Sequence, residues 1–299
     1  MYTKEQMEVI NLQDSYTIMY ALVARTIMEE LGHKGESIVR EATRRYGADR
    51  GRNTRKRHQA MGIKVNMENL FTVSGDLPPD PRFKRDRVLL IPEERNSHTL
   101  ICPMAEVWIA YDAKKIGRIY CEEFHRACYK EYGFGYSQVN LAQTLTEDGD
   151  EYCDFHVVLR KANLPEELRK DCFAECDPDF KEPDMEVLKS KKANAKVGFD
   201  ILCIKVYYYM LEVLKEQAPD QYETIIKKAL TVWAKDEAAR VKKEARDEGE
   251  SLTADFVDKN SPLYLDRSKE ALYPEYDKYG AEKYLQEAYF PVLKEELGI

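Results

Sequence analysis

Asp148-Gly149 lies between two segments, Gln138–Thr146 and Tyr152–Leu159, in which apolar and polar residues alternate. An Asp-Gly step between alternating segments marks an antiparallel hairpin, because aspartate and glycine tolerate the positive φ of the tight turns that match strand twist. Two shorter β-rich stretches, Val88–Ile91 and Thr99–Cys102, flank the polar run Pro92–Ser97 and read as two further strands. Elsewhere apolar residues recur at helical spacing. Ile18, Met19, Leu22, Val23, Ile27 and Met28 place a helix over Ser15–Leu31, closed by Gly32. A second helix is expected from an N-cap at Ser37 to about Ala60, a third from Pro103, and a fourth over about Ile116–Tyr132. The fold class that follows is α+β, with helices packed on a small antiparallel sheet in the first half.

Past a charged, proline-punctuated connector over Leu164–Pro183, long helices are expected at Val187–Gln217 and Tyr222–Asp247, with a helical pair in Ala271–Leu297. The domain reading is 1–163 for the helix-plus-sheet unit and 164–299 for a mostly helical region. Ser37–Gly62 can be laid on Thr224–Gly249, and Ala105–Phe134 on Glu270–Ile299, without gaps. Such a match suits a degenerate repeat of the first half, although any two amphipathic helices align nearly as well.

Chemistry-bearing residues crowd into Ile101–Arg160, which holds Cys102, Cys121, Cys128 and Cys153 with His125 and His156. Free thiols most often pack as small hydrophobes, but a cluster of them is also the raw material of a thiolate nucleophile or a metal site. Cys121, His125 and Cys128 are spaced so that a helix puts them on one face. No closely spaced cysteine pairs and no His-Glu-x-x-His occur, so no standard zinc motif is present, no metal ligand is assigned and the cofactor stays unknown. In a strand, Cys153 and Phe155 share one face while Asp154 and His156 share the other, so His156 cannot activate Cys153. Cys102 stands where a strand meets a helix start, where the helix dipole favours a thiolate.

A net charge of −8 argues against nucleic acid, despite the basic run Arg44–Arg57. No apolar run reaches the length needed to span a bilayer, and the first residues lack the pattern of a secretion signal, so a cytoplasmic protein with reduced thiols is expected. The partner expected is a small molecule, with no membrane; a homo-oligomer is left open.

In four places the chain resembles the L-2-amino-thiazoline-4-carboxylic acid hydrolase family. These are Tyr46-Gly47-x-x-Arg50-Gly51 after a helix, Cys102-Pro103, Tyr120-Cys121 before an acidic residue, and Gly149-Asp150-x-x-Cys153-x-Phe155. The likeness spans roughly Ala21–Leu159. It implies hydrolysis of an amidine-like ring carbon, opening the thiazoline to an N-carbamoyl cysteine. That chemistry asks for a nucleophile, a proton donor to the leaving group and a cation for the carboxylate. The residues implied are Cys102, Cys121 or Cys153 as nucleophile, Glu123 or His125 for proton transfer, Arg50 for the carboxylate, and Tyr46 and Trp108 as pocket walls. The rival reading is a non-catalytic sensor that binds a small molecule or metal in the same hairpin region.

Overall fold

A computed structural model describes every residue except 1, 74, 76, 192, 270–276, 278 and 279. Two long helices open the chain, α1 (Lys4–Leu31) and α2 (His33–Ala60), separated only by Gly32 with φ +56°. Helix α1 begins well before the expected Ser15 because Thr3 and Gln6 form a capping box. Helix α3 (Met67–Thr72) precedes strands β1 (Lys84–Ile91) and β2 (Glu94–Ile101), followed by helices α4 (Pro103–Ala110) and α5 (Lys114–Tyr132) and strands β3 (Gln138–Leu141) and β4 (Cys153–Val158). All four strands form one antiparallel sheet in the order β1-β2-β4-β3.

Two expectations about this sheet need correction. The first hairpin is longer than the apolar residues suggested, since Lys84–Arg87 and Glu94–Ser97 belong to its strands. Charged residues there looked like loop, yet their backbones pair with β2, with register shifts between Lys84 and Arg85 and between Arg87 and Leu89. Strands β3 and β4 do pair, but through residues 142–152 rather than a tight turn. Asp150 accepts the Thr144 N–H at 2.9 Å and helps to fold that connection.

The sheet sorts its residues by face. Arg95, Ser97 and Thr99 of β2 and Cys153, Phe155 and Val157 of β4 are buried, while Asn96, His98, Asp154 and His156 alternate outward. Period-two geometry alone produces this division. His156 bonds Glu94 at 2.6 Å on the outer side, away from Cys153.

Helix α5 lies across α2 at very short range. A Cβ on Gly47 would fall 2.5 Å from the Phe124 carbonyl oxygen, and one on Gly51 would fall 2.1 Å from that of Cys128. Both glycines therefore serve close helix packing, and α2 runs through them without a break. At the far end of the pair, His58 Nδ1 meets the Tyr132 hydroxyl at 2.8 Å. Burial pulls the His58 pKa down from 6.5 to about 4. The folded state thus holds it neutral where the unfolded chain binds a proton. Its stability is full above pH 6.5 and is lost as pH falls toward 4, by about 3 kcal/mol. Thermal melts from pH 7 to 4 should show a steeper loss for wild type than for His58→Gln; parallel curves would remove His58 from that account.

The second half supplies α6 (Glu166–Cys172), α7 (Met185–Ser190), α8 (Ala195–Gln217), α9 (Tyr222–Glu248) and α10 (Ala254–Asn260). It ends in α11 (Ala281–Tyr284) and α12 (Phe290–Leu297), joined by a π-turn over Leu285–Tyr289. Pro291 lacks the N–H an uninterrupted α-helix would use, which suits a widened turn just before it. The expected single helix over Val187–Gln217 is two, one ending at Ser190 and the next beginning at Ala195.

Side chains from α1, α2 and α5 share one core with those from α8, α9 and α12. Helix α1 packs on α9 while α8 packs on α2, and α9 meets α12 as α2 meets α5. The stretch aligned with Ala105–Phe134, Glu270–Ile299, lies partly outside the described residues. No helix among the described residues is long and apolar enough to cross a membrane.

Candidate functional site

Three thiols from separate stretches converge beneath α5. Cys102 precedes α4, Cys121 lies on α5 and Cys153 opens β4, yet burial and then the nearness of Cys102 and Cys153 raise the pKa of Cys121, and burial and then the nearness of Cys102 raise that of Cys153. The sheet makes the meeting possible, because Cys153 pairs with Thr99, three residues before Cys102.

His125, one turn beyond Cys121, lies among Tyr120, Phe124, Tyr129 and Phe155, its ring 4.8 Å from that of Phe155. Its Nδ1 is buried with no hydrogen-bond partner. Burial, then the charges of Arg95, Arg85 and Arg50, lower its pKa from 6.5 to about 3. The imidazole is neutral at physiological pH.

Arg85 and Arg95 reach this face from neighbouring strands. Sequence reasoning missed them because charged residues in a weakly apolar segment resemble loop. The readable signal was alternation in Arg95-x-Ser97-x-Thr99, which keeps polar groups on the side that the sheet buries. Arg95 is 8% exposed, lies 3.9 Å above the Phe71 ring and bonds Tyr129. Burial depresses the pKa of both Arg85 and Arg95. Arg87, across from Ser97, is near enough to push both lower still.

Arg85 is exposed by surface area, and Cys102, His125 and Tyr129 also keep accessible surface. Burial is nevertheless the largest influence on the pKa of each. Both observations hold together if the exposed surface faces a recess walled by protein rather than open water. A separate cavity of about 1030 Å³, lined by Val9, Phe71, Val73 and Leu77, contains none of the cysteines or histidines. It adjoins the recess at Phe71, whose other contacts are Arg95 and Tyr129.

Arg50 lies over the Phe124 ring at 5.9 Å and is close enough to Tyr120, His125 and Tyr129 to affect their titration. Glu123 points the other way, held by Arg40 at 3.1 Å and Arg44 at 2.9 Å. Two positions from His125 is nearly half a turn of helix, which accounts for the separation. Tyr46 has no accessible surface; its hydroxyl accepts from Tyr16 at 3.2 Å, and Tyr16 in turn meets Tyr120 at 2.8 Å. Trp108 is 1% exposed, and its Nε1 donates to the Thr17 carbonyl at 3.2 Å. Both rings stiffen the core behind the recess and present no surface to a ligand.

Electrostatics at the thiols departs from the helix-dipole expectation. Burial raises Cys102 above its ordinary value. The amides of Ala105 and Met104 and the charge of Arg85 pull the other way, although no capping hydrogen bond forms. Burial pushes Cys153 up to about 11 and raises Cys121 well above its ordinary value. The Leu145 N–H donates to Cys153 Sγ at 3.3 Å and offsets part of this. Desolvation wins over the dipole because a thiolate loses its water on every side while a short helix offers only a partial charge. Among the described residues no group of three or more His, Cys, Asp or Glu side chains is placed to hold a metal ion.

The inner face of the small antiparallel sheet thus gathers cations, thiols and a neutral imidazole in one place. Residues 13–157, which supply this whole constellation, match the family model described as L-2-amino-thiazoline-4-carboxylic acid hydrolase. No curated protein and no solved structure gives a significant match. The family is one of hydrolases by its name, and the matched segment ends one residue before the end of β4.

Proposed function

We propose that the recess beneath α5 hydrolyses a small cyclic carboxylate at an amidine-like carbon bonded to nitrogen and sulfur, as in 2-amino-thiazoline-4-carboxylate. The carrying observation is the convergence of Cys102, Cys121 and Cys153 beside His125 and a group of arginines. The arginines suit the substrate carboxylate, and a planar guanidinium holds it in a fixed orientation.

Cys102 is the nucleophile this reading favours. It keeps accessible surface while Cys121 and Cys153 are buried, and it faces helix amides and the Arg85 charge. Its sulfur attacks the ring carbon, the bond from that carbon to the ring sulfur breaks, and the thiol proton passes to the departing sulfur. Water then adds to the same carbon, expels the Cys102 thiol and leaves the N-carbamoyl cysteine. Neutral His125, with its Nδ1 unpartnered, suits the proton transfers. A carboxylate among Arg85, Arg95 and Arg50 cancels part of the field that depresses His125, so substrate binding itself makes the imidazole a better proton acceptor.

Turnover of 2-amino-thiazoline-4-carboxylate, followed as release of free thiol, tests the assignment. Cys102→Ala should lower the rate at least about 100-fold with the fold unchanged by circular dichroism. A folded Cys102→Ala protein with wild-type turnover would overturn the role. One observation favours a second reading: all three thiols are held protonated by burial, as a pocket that binds without reacting would hold them. In that case the compound binds wild type and is recovered unchanged.

A further inference from the structure

The inner face of the sheet carries more positive charge than one carboxylate can neutralise. Arg85, Arg87 and Arg95 stand at positions paired with Thr99, Ser97 and Leu90, close enough to one another to interact electrostatically. No carboxylate among the described residues is in ion-pair contact with any of these three. The acidic residues of the paired strands have other places. Asp154 and Glu94 face outward, toward His98 at 3.9 Å and His156 at 2.6 Å. Asp86 pairs with His98, on that same outer row.

Two buried polar atoms on this side lack partners. Ser97 is 1% exposed and its Oγ makes no hydrogen bond; His125 Nδ1 makes none either. Nothing in the strand ladder requires a serine there, since its neighbours across the sheet are Phe155 and Arg87. A buried hydroxyl beside cations adds a donor of the kind an oxyanion takes up, and a buried unsatisfied donor costs free energy until it is used.

We infer that the recess is built for a small dianion, a molecule with two carboxylates or with a phosphate group, rather than for a monocarboxylate. One carboxylate would neutralise a single guanidinium and leave the others without a counter-charge, and where that one is the buried Arg95 the unpaired charge is costly. A second anionic centre removes that cost. The inference rests on the reading of this recess as the ligand site, and it narrows the substrate class to one more anionic than the thiazoline carboxylate.

Isothermal titration of the full chain with acetate, succinate and inorganic phosphate tests it. Succinate or phosphate should bind at least about tenfold more tightly than acetate, with the tighter of the two telling a dicarboxylate from a phosphate ligand. Arg87→Gln, at an exposed position that leaves the core intact, should reduce that preference by about tenfold. Equal affinity for acetate and both dianions, or a preference that Arg87→Gln does not change, would overturn the inference. Turnover of 2-amino-thiazoline-4-carboxylate in the same samples keeps the two readings apart. Turnover without dianion preference removes only the inference, whereas preference without turnover removes only the hydrolase reading.

Discussion

Arg240→Met is expected to cost the folded state about 3–5 kcal/mol, the largest loss available to a single substitution in the helical half, because it leaves a buried carboxylate uncompensated. Arg240 donates to Glu237 at 2.6 Å and 3.2 Å, to the Asn260 carbonyl at 2.6 Å, and to Glu244. Glu237, 1% exposed, accepts a further bond from Ser15 at 2.7 Å, so the network joins α1 to α9 and to the end of α10. Burial pushes the Glu244 carboxyl up to about 7, against an ordinary value of 4.5. A group raised in the folded state withdraws stability as pH rises from its unfolded value through its folded one. The deficit of Arg240→Met should therefore be smaller at pH 5 than at pH 8. Urea unfolding at both values measures this, and a loss under about 1 kcal/mol at both would show that the arginine is not neutralising a buried charge.

Gly51→Val should abolish folding or leave a chain that melts far below wild type. Its Cβ would enter the space of the Cys128 carbonyl, and the oxygen belongs to helix backbone that cannot rotate away. Gly51→Ala should cost about 3 kcal/mol or more, at the upper end of overpacking effects. A valine variant as stable as wild type would mean that α2 and α5 separate without penalty. The consequence would reach beyond stability, since this contact sets how near Arg50 of α2 comes to His125 of α5. A partly folded Gly51→Ala protein should lose anion affinity before it loses helicity.

The acidic window of His58 and the alkaline trend of Glu244 act in opposite directions between about pH 4.5 and 6.5. Acid unfolding studied in the single variants would therefore separate them better than wild type alone.

Much of the architecture was legible because it rests on local periodicity. The helical stripe of Ile18–Met28, Pro103 opening α4, Gly133 after α5 and the alternation around Cys153 each survive as elements. Boundaries failed where tertiary pairing overrides composition. Lys84–Arg87 reads as loop and is strand, because β2 supplies the hydrogen bonds and Arg85 and Arg87 take the inner face, which no local pattern reveals. The tight hairpin at Asp148-Gly149 failed for a related reason: the chain between the strands folds on Thr144 and Asp150 instead.

For the site, sequence alone brought forward Cys102, Cys121, Cys153, His125 and Arg50, by residue chemistry and by resemblance. It also fixed which side of β4 each residue takes, since alternation is a property of the extended backbone. Tertiary structure decided the rest. It turned Glu123 toward Arg40 and Arg44, buried Tyr46 and Trp108, added Arg85, Arg87 and Arg95, and raised the pKa of Cys102, Cys121 and Cys153. The physical reason is range. Which face a side chain takes depends on its immediate neighbours along the chain, whereas desolvation and Coulomb fields sum over whatever the fold brings near.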